Sequence, residues 1–210
     1  MQTSRPSRTK EEVVKDFRTA EILDAARRVI GELGFADASM ERIALEAGVA
    51  KGTLYRYFES KESLFAHALE HAHRDMITRS RAATQRVRAY RDKLREAVRA
   101  VLEYSAEHQA FYQALLERPD LSIDRESVVA RTLTKNFEEY IRFVSGLLTR
   151  GARSGEFRPV DPRRGAQFLI EIIRSLLRER LADRKPPDVD SDVETIIDFY
   201  LHGVGAGGLE

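Results

Sequence analysis

Apolar residues recur at every third or fourth position along nearly the whole chain, and no sustained alternation of apolar and polar residues interrupts them. This spacing places apolar side chains on one face of an α-helix, whereas alternation would indicate a half-buried strand. The pattern therefore predicts an all-α fold. With 210 residues, 42% of them hydrophobic, the chain can bury one large core or two smaller ones.

The composition argues against several classes of protein. The chain has no cysteine, which excludes a disulfide framework, a thiolate metal site and a thiol nucleophile. The first twenty residues lack the apolar core of a signal peptide, and no later apolar run reaches the roughly 18 residues of a membrane span. We therefore expect a cytoplasmic protein with no membrane partner. The net charge is only +1, so any binding to a polyanion must depend on where the cations lie.

Candidate caps and glycines delimit two predicted helices near the start of the chain. The first helix begins near Thr19, a candidate N-cap, and stops at Gly34, because glycine tolerates the positive φ that often ends a helix. The second begins after Ser39, another candidate N-cap, and stops at Gly48.

The rest of the chain also reads as helices separated by short breaks. A short third helix is predicted over 51–58, and a fourth starts after Ser60 and continues for about six turns. Further helices are predicted around 94–102, 111–116, 129–148, 165–181 and 193–201, with breaks at 119–120, 151–162 and 183–192.

The third predicted helix sorts its side chains by chemistry. Leu54 and Phe58 are four positions apart, so they share one face and can pack on the preceding helices. Gly52 and Arg56 point the opposite way. Two short helices joined by a glycine turn form the outline of a helix-turn-helix, and the outward face of small, hydroxyl, phenol and cationic groups suits a DNA groove.

We therefore predict that this face binds double-stranded DNA. A glycine lets the backbone approach a phosphate or base edge, and lysines, tyrosine hydroxyls and helix N-termini position phosphates. The DNA-contact candidates are Ser39, Lys51, Gly52, Thr53, Tyr55, Arg56, Tyr57 and Lys61. Two of them have structural alternatives, because Tyr57 can be a half-buried core residue and Arg56 can pair with a surface carboxylate.

Four motifs follow one another over residues 19–69. They are Gly34-Phe35 at the end of the first helix, Ser39-x-x-x-Ile43-Ala44 in the second, Ala47-Gly48-Val49 in the turn, and Lys51-Gly52-Thr53-Leu54-Tyr55-x-Tyr57-Phe58-x-x-Lys61. In this order and spacing they resemble the N-terminal DNA-binding domain of the TetR/AcrR family of bacterial transcriptional regulators. Ala50 departs from the serine often found before the Lys-Gly pair, which leaves the third helix without the usual capping side chain.

The resemblance implies a homodimer on a palindromic operator, a helical effector domain, and repression relieved by a small molecule. It divides the chain into a helix-turn-helix domain over 19–65 and an effector-binding and dimerisation domain over 66–203. Residues 1–18, which include Arg5, Arg8 and Lys10, are predicted to form a flexible basic arm, and 204–210 a flexible tail.

The last two predicted helices carry more apolar surface than one core face needs, which predicts a subunit interface. The interface candidates are Leu169, Ile172, Ile173, Leu176, Ile196, Ile197 and Tyr200. The alternative is that both helices simply lie at the centre of a monomer core.

The resemblance places an effector pocket among the helices that follow the DNA-binding domain. Its aromatic lining candidates are Tyr104, Phe111, Tyr112, Tyr140 and Phe168, each of which can equally be a core residue. Aromatic lining favours an apolar or aromatic effector, and no cofactor is expected.

A metal site and a catalytic site are the other kinds of site to consider. His67, His71 and His73 lie close together in the sequence and could bind a metal or line the pocket, but a di-iron bundle needs a second Glu-x-x-His pair that this sequence lacks. No phosphate loop, nucleophile elbow or zinc helix suggests catalysis, so we predict no catalytic residues, no metal site and no enzyme activity. A helical interaction protein that does not bind DNA is the remaining alternative.

Overall fold

The computed structural model describes residues 10–116, 126–183 and 188–202, except for the side chains of 10–16 and 182–183. All regular structure in these ranges is α-helical, which confirms the predicted all-α fold. The described residues form nine helices: α1 Lys10–Asp37, α2 Met40–Glu46, α3 Lys51–Tyr57, α4 Lys61–Gln85, α5 Tyr90–Glu107, α6 Gln109–Leu116, α7 Val128–Arg153, α8 Pro162–Asp183 and α9 Val189–His202.

Two of the predicted N-caps are confirmed. The Ser39 hydroxyl accepts a hydrogen bond from the Arg42 amide at 3.1 Å, and the Ser60 hydroxyl accepts one from the Ser63 amide at 3.0 Å. Each bond satisfies an amide that the first turn of a helix leaves without an intrahelical partner. Ala50, which precedes α3, makes no such bond, as its methyl side chain requires.

The predicted start of α1 at Thr19 is wrong, because the helix begins at Lys10. Residues 10–18 contain neither glycine nor proline and include several good helix formers, so the helix extends through them. Residues 10–18 of the predicted flexible arm are therefore helical. The predicted break at Gly34 is present as a kink, where the backbone has φ 77° and ψ 164°.

The final helix also begins earlier than predicted, at Val189 instead of Val193. The carboxylate of Asp188 accepts a hydrogen bond from the Ser191 amide at 3.1 Å, so this aspartate caps the helix. The remaining parts of the arm, with Arg5 and Arg8, lie outside the described residues. So do the predicted break at 119–120, part of the one at 183–192, and the tail at 204–210.

Two hydrophobic cores are joined by α4. The first core contains the apolar faces of α1, α2 and α3, the first half of α4, and residues of α6. The second core is formed mainly by α5, α7, α8 and α9, and α4 reaches it with Ile77. Because α4 packs in both cores, it connects the helix-turn-helix rigidly to the helical body. Among the residues with described positions, none of the helices combines the length and apolarity that crossing a bilayer requires.

Candidate DNA-binding face and effector cavity

The turn between α2 and α3 is fixed by a glycine and two backbone hydrogen bonds. Gly48 has φ 63°, a left-handed backbone conformation that is strained for residues other than glycine. The Gly48 amide donates to the Leu45 carbonyl at 3.1 Å, and the Val49 amide donates to the Ala44 carbonyl at 2.9 Å. These contacts fix the direction in which α3 leaves the turn.

α3 is anchored by the two residues that the sequence predicted. Leu54 has no exposed surface and Phe58 is only 3% exposed, and both belong to the first core. A seven-residue helix is marginal by itself in water, so its position depends on this burial.

The opposite face of α3 is uncovered. A Cβ atom added to Gly52 would meet nothing within 4 Å, and the side chains of Lys51, Tyr55 and Arg56 are exposed. Thr53 is half-buried beside them. The structure therefore brings five of the eight candidate DNA contacts together on one accessible surface.

Two candidates on α3 already have partners within the chain. The Lys51 ammonium forms an ion pair with Glu41 of α2, and this contact raises the pKa of Lys51 and lowers the pKa of Glu41. Tyr57 is half-buried against the first core, with the Arg56 guanidinium 5.9 Å from its ring centroid. The ring of Tyr57 is therefore a half-buried part of the core, which is the structural alternative named for this residue above.

Lys61 is held at the junction of α1 and α4. Its Nζ donates to the carbonyl oxygens of Phe35 at 2.8 Å and Ala36 at 3.0 Å, and lies 4.5 Å from the centroid of the Phe35 ring. An ammonium group has three donors, so one donor remains for another acceptor. Lys61 thus ties the end of α1 to the start of α4.

A cavity of about 660 Å³ lies among α4, α5, α6, α7 and α8. Its wall is mainly aliphatic and aromatic, with Leu69, Met76 and Phe137 among the lining residues. Two of the aromatic candidates, Tyr112 and Tyr140, also line it, and burial raises the pKa of both phenols. The Tyr140 hydroxyl donates to the carbonyl of Ala97 at 3.1 Å.

The other three aromatic candidates do not line this cavity. Tyr104 is completely buried in the first core, where its hydroxyl accepts a hydrogen bond from Arg27 Nη1 at 2.5 Å. Phe111 is buried in the same core, with its ring centroid 5.6 Å from that of Phe65. Phe168 lies on the outer surface of α8 and is 60% exposed.

Besides the tyrosines, eight polar side chains line the cavity: His73, Ser105, Gln109, Thr134, Asn136, Arg174, Arg178 and Arg180. Only His73 was a candidate predicted from the sequence. His73 is 8% exposed, and desolvation lowers its pKa. Its Nε2 lies 3.3 Å from Glu139 Oε2. Asn136 Nδ2 donates to the Leu69 carbonyl at 3.3 Å.

Two of the lining arginines, Arg174 and Arg178, are exposed, and both lie on α8. They are four positions apart and so share one helix face, a spacing that could have identified them in the sequence. Arg174 also pairs with Glu171 at 2.9 Å and lies 5.4 Å from the Phe137 ring centroid. These two arginines place positive charge beside a cavity whose wall is mainly apolar.

The three clustered histidines have separate surroundings. The His67 ring lies against Phe58, with centroids 5.3 Å apart, while His71 is near Asp24 and Asp75 and His73 borders the cavity. Within the described ranges, no group of three or more histidine, aspartate or glutamate side chains is arranged to hold a metal ion.

The predicted interface residues on α8 and α9 divide into two groups. Leu169, Ile173, Ile196 and Ile197 are at most 3% exposed and belong to the second core, so the monomer-core alternative applies to these four. Ile172, Leu176 and Tyr200 are half-buried.

An apolar outer face remains uncovered on the same two helices. Phe168 is 60% exposed and Phe199 is 49% exposed, and they border a surface hollow with Ile172 and Tyr200. We call these four residues the α8–α9 face. Both phenylalanines were absent from the predicted interface.

Comparison with known proteins agrees with the architecture. Residues 22–68, which run from α1 into α4, match the family model described as "Bacterial regulatory proteins, tetR family". The exposed face of α3 and the helical body behind it resemble those of helix-turn-helix transcriptional regulators. The N-terminal part of the chain therefore resembles the DNA-binding domain of the TetR family, as the sequence motifs indicated.

Relatives match along most of the chain. The uncharacterized HTH-type transcriptional regulator YfiR of Bacillus subtilis is 29% identical over 198 residues, which cover 90% of this chain and 92% of YfiR. The HTH-type transcriptional activator FasR of Mycolicibacterium smegmatis is 28% identical over 190 residues, which cover 90% of this chain and 84% of FasR. These relatives are regulators, in agreement with the prediction that the chain is not an enzyme.

A solved structure shares the whole fold. The transcriptional regulator FadR from Bacillus subtilis, solved in complex with stearoyl-CoA, superposes with a TM-score of 0.77 at 23% identity. The match covers 88% of this chain and 98% of FadR. The likeness therefore extends from the helix-turn-helix through the helical body.

Proposed function

We propose that the protein is a homodimeric, ligand-responsive repressor that binds a palindromic operator through α3. The observation that carries this proposal is the division of α3 into two faces. Leu54 and Phe58 are buried, while Lys51, Gly52, Tyr55 and Arg56 face solvent. In a two-fold dimer, two such helices enter successive major grooves about 34–36 Å apart.

The residues of this interface take different roles. Side chains of α3, above all Lys51, Thr53, Tyr55 and Arg56, reach base edges in the major groove. Ser39, Tyr57 and Lys61 lie at the margins and position the phosphate backbone. Lys61 contributes its remaining donor while it stays bound to α1.

The α8–α9 face is the proposed contact surface between the two subunits. Two phenylalanines that are 60% and 49% exposed on adjacent helices form the kind of apolar patch that a second subunit covers. A two-fold axis through this face would bring α8 and α9 of both subunits together.

The cavity is proposed to hold the effector. Its volume of about 660 Å³ falls within the range of small-molecule sites, and its wall suits an apolar or aromatic body. Arg174 and Arg178 favour a negatively charged group at one end of the ligand. FadR was solved with stearoyl-CoA, which has an acyl chain and an anionic head, so a related amphiphile is a suitable first probe.

Effector binding would release DNA by changing the separation of the two recognition helices. α4 is the main lever, because it lines the cavity with Leu69, His73 and Met76 and supports α3 with its first turns. An effector shifts this equilibrium only if it binds the DNA-releasing state more tightly.

Gly52→Ala is expected to make the protein more stable and a weaker DNA binder. The added methyl group meets no protein atom, so helix propensity should raise the free energy of unfolding by up to about 1 kcal/mol. The same methyl group blocks close approach to DNA, and the affinity should fall about tenfold, the value of one lost groove contact. Fluorescence anisotropy with the DNA upstream of the protein's own gene, at two salt concentrations, measures the change.

Gly146→Ala in α7 is the matched control. It also replaces a helical glycine, but its nearest neighbour is the flexible side chain of Arg150. If Gly52→Ala binds the upstream DNA as tightly as Gly146→Ala does, α3 does not approach DNA through this face.

The effector proposal predicts a preference for anionic amphiphiles. Palmitate and palmitoyl-CoA should bind and weaken the DNA complex, whereas hexadecanol, which has the same chain and no charge, should bind less tightly. Replacing both Arg174 and Arg178 by alanine should lower the affinity for palmitate about fivefold to tenfold, because two exposed charge contacts are lost. Isothermal titration calorimetry measures these affinities.

Arg142→Ala, an exposed arginine of α7 outside the cavity, is the control. Equal affinities for palmitate and hexadecanol would contradict the role of the arginines. A wild-type protein that binds none of the three probes would contradict this class of effector.

A further inference from the structure

Four aromatic side chains form a continuous row from the cavity into the DNA-binding unit. Tyr112 lines the cavity, and its ring centroid is 5.9 Å from that of Phe111. The Phe111 and Phe65 centroids are 5.6 Å apart, and those of Phe65 and Phe35 are 4.9 Å apart. All three separations lie in the range of direct aromatic contact. We call these four residues the aromatic row.

The aromatic row ends at a cation beside the DNA-binding face. Lys61 Nζ lies 4.5 Å from the Phe35 centroid and donates to the carbonyl oxygens of Phe35 and Ala36. Lys61 is the first residue of α4, and Phe58, the inner anchor of α3, precedes it by three positions. The Phe35 ring and the Lys61 ammonium are therefore in direct contact.

The two middle rings of the row are buried in the first core. Phe65 has no exposed surface and Phe111 is 2% exposed, and both are packed inside the first core. A close-packed interior transmits displacement because its side chains have few voids to move into.

The backbone of α6 is also in close contact with α1. A Cβ atom added to Gly31 of α1 would lie 3.1 Å from both Ala110 Cβ and the Phe111 amide nitrogen. The absence of a side chain at Gly31 lets the two helices approach this closely. α6 thus has the cavity on one side, through Tyr112, and α1 on the other.

We propose that α6 and the aromatic row carry the effector signal from the cavity to Lys61 and the end of α1. An effector that displaces Tyr112 moves Phe111, Phe65 and Phe35 in turn and shifts the Lys61 ammonium relative to the DNA backbone. This inference rests on the proposed function, and it adds a second connection to the one through α4. It makes Phe111, Phe65 and Phe35 positioning residues, since none of them lines the cavity or lies among the candidate DNA contacts.

The mechanical link can be tested in the full chain without any effector. Phe35 is replaced by 4-fluorophenylalanine, and the ¹⁹F resonance is compared between the parent and two variants of the cavity wall. Tyr112→Ala removes the first ring of the row, whereas Tyr140→Ala removes the other tyrosine of the wall, which packs on Phe143 in the second core.

Tyr112→Ala is expected to shift or broaden the Phe35 resonance several-fold more than Tyr140→Ala does. A shift from Tyr112→Ala that is no larger than the shift from Tyr140→Ala would overturn the proposal, whether or not an effector is known. Melting temperatures confirm that both variants are folded.

The functional consequence is measured with palmitoyl-CoA as the probe and the upstream DNA as the reporter. Allosteric coupling commonly changes affinity by about 5–150-fold. In the wild type the probe should weaken DNA binding within that range, and Phe111→Leu should reduce the change to about twofold while probe affinity is retained. Phe35→Leu should reduce the change in DNA affinity in the same way. Because Phe35 is half-buried, this variant replaces Phe111→Leu if the latter fails to fold.

Phe143→Leu is the matched control. The Phe143 ring centroid is 5.7 Å from that of the cavity-lining Tyr140, but Phe143 packs against the second core. It should leave the response to the probe unchanged. If palmitoyl-CoA weakens DNA binding as much in Phe111→Leu and Phe35→Leu as in the wild type, the row carries no signal. The inference then fails, and the proposed function stands. If the wild type does not respond, the proposed effector class fails, and the ¹⁹F comparison still decides the link.

Discussion

Phe168→Glu is expected to convert the proposed dimer to a monomer and to abolish high-affinity operator binding. Phe168 is 60% exposed on α8, next to Phe199 on α9. In a two-fold dimer each interface position occurs twice, so the substitution buries two unpaired carboxylates in an apolar contact. Because linked half-sites gain about 10²–10⁴ in affinity, a monomer should lose a comparable factor for the full operator.

Light scattering after size-exclusion chromatography measures the mass of the variant, and anisotropy measures its DNA affinity. Phe17→Glu is the control for the mass, since Phe17 is 63% exposed on α1 and the substitution removes the same ring and adds the same charge. A Phe168→Glu protein that remains dimeric at micromolar concentration would show that the subunits associate through another surface.

Leu54→Ala is expected to release α3 from the protein while the helical body stays folded. Leu54 has no exposed surface and, with Phe58, anchors a helix of only seven residues. Truncation of a buried leucine to alanine costs about 2.7–5.0 kcal/mol, which is more than so short a helix can lose and remain docked. Operator binding should disappear, and palmitate binding in the cavity should persist.

Hydrogen exchange resolves this outcome, because amides of α3 should lose protection while those of α5 and α7 keep it. Leu45→Ala is the matched control, as Leu45 lies on α2 and is 71% exposed, so its loss should change stability by no more than about 0.5 kcal/mol. If Leu54→Ala binds the upstream DNA with wild-type affinity, α3 does not need this anchor.

The helices that the sequence predicted best are those with a strong apolar period and a hydroxyl cap. α2 and α4 start after Ser39 and Ser60 as expected, because a serine oxygen close to the first-turn amides is a local interaction. The start of α1 was missed, because Thr19 lies within a longer run of helix formers. Acidic caps such as Asp188 were also overlooked.

The division of apolar surface between core, cavity and interface could not be predicted. Periodicity shows that Tyr104, Tyr112 and Phe168 lie on helices, but which of them faces a cavity depends on how helices from distant parts of the chain cross. For the same reason the wide apolar arc of α8 was recognised, although Leu169 proved to be core and Phe168 proved to be surface.

Contacts that are distant in sequence were equally inaccessible. Lys61 was chosen for its place at a helix start, and nothing local indicates that its ammonium binds carbonyls of Phe35 and Ala36. The aromatic row likewise depends on side chains of α1, α4 and α6 meeting in one core.

If α3 binds DNA as proposed, the ion pair between Lys51 and Glu41 affects how the protein searches a chromosome. A lysine that already has a carboxylate partner brings almost no net charge to a polyanion, so it displaces few of the cations condensed on DNA and adds little to the attraction toward arbitrary sequence. Its contribution appears only where a correctly placed acceptor draws the ammonium away from Glu41. Such a residue shortens the time spent on wrong sites more than it lengthens the time spent on the right one.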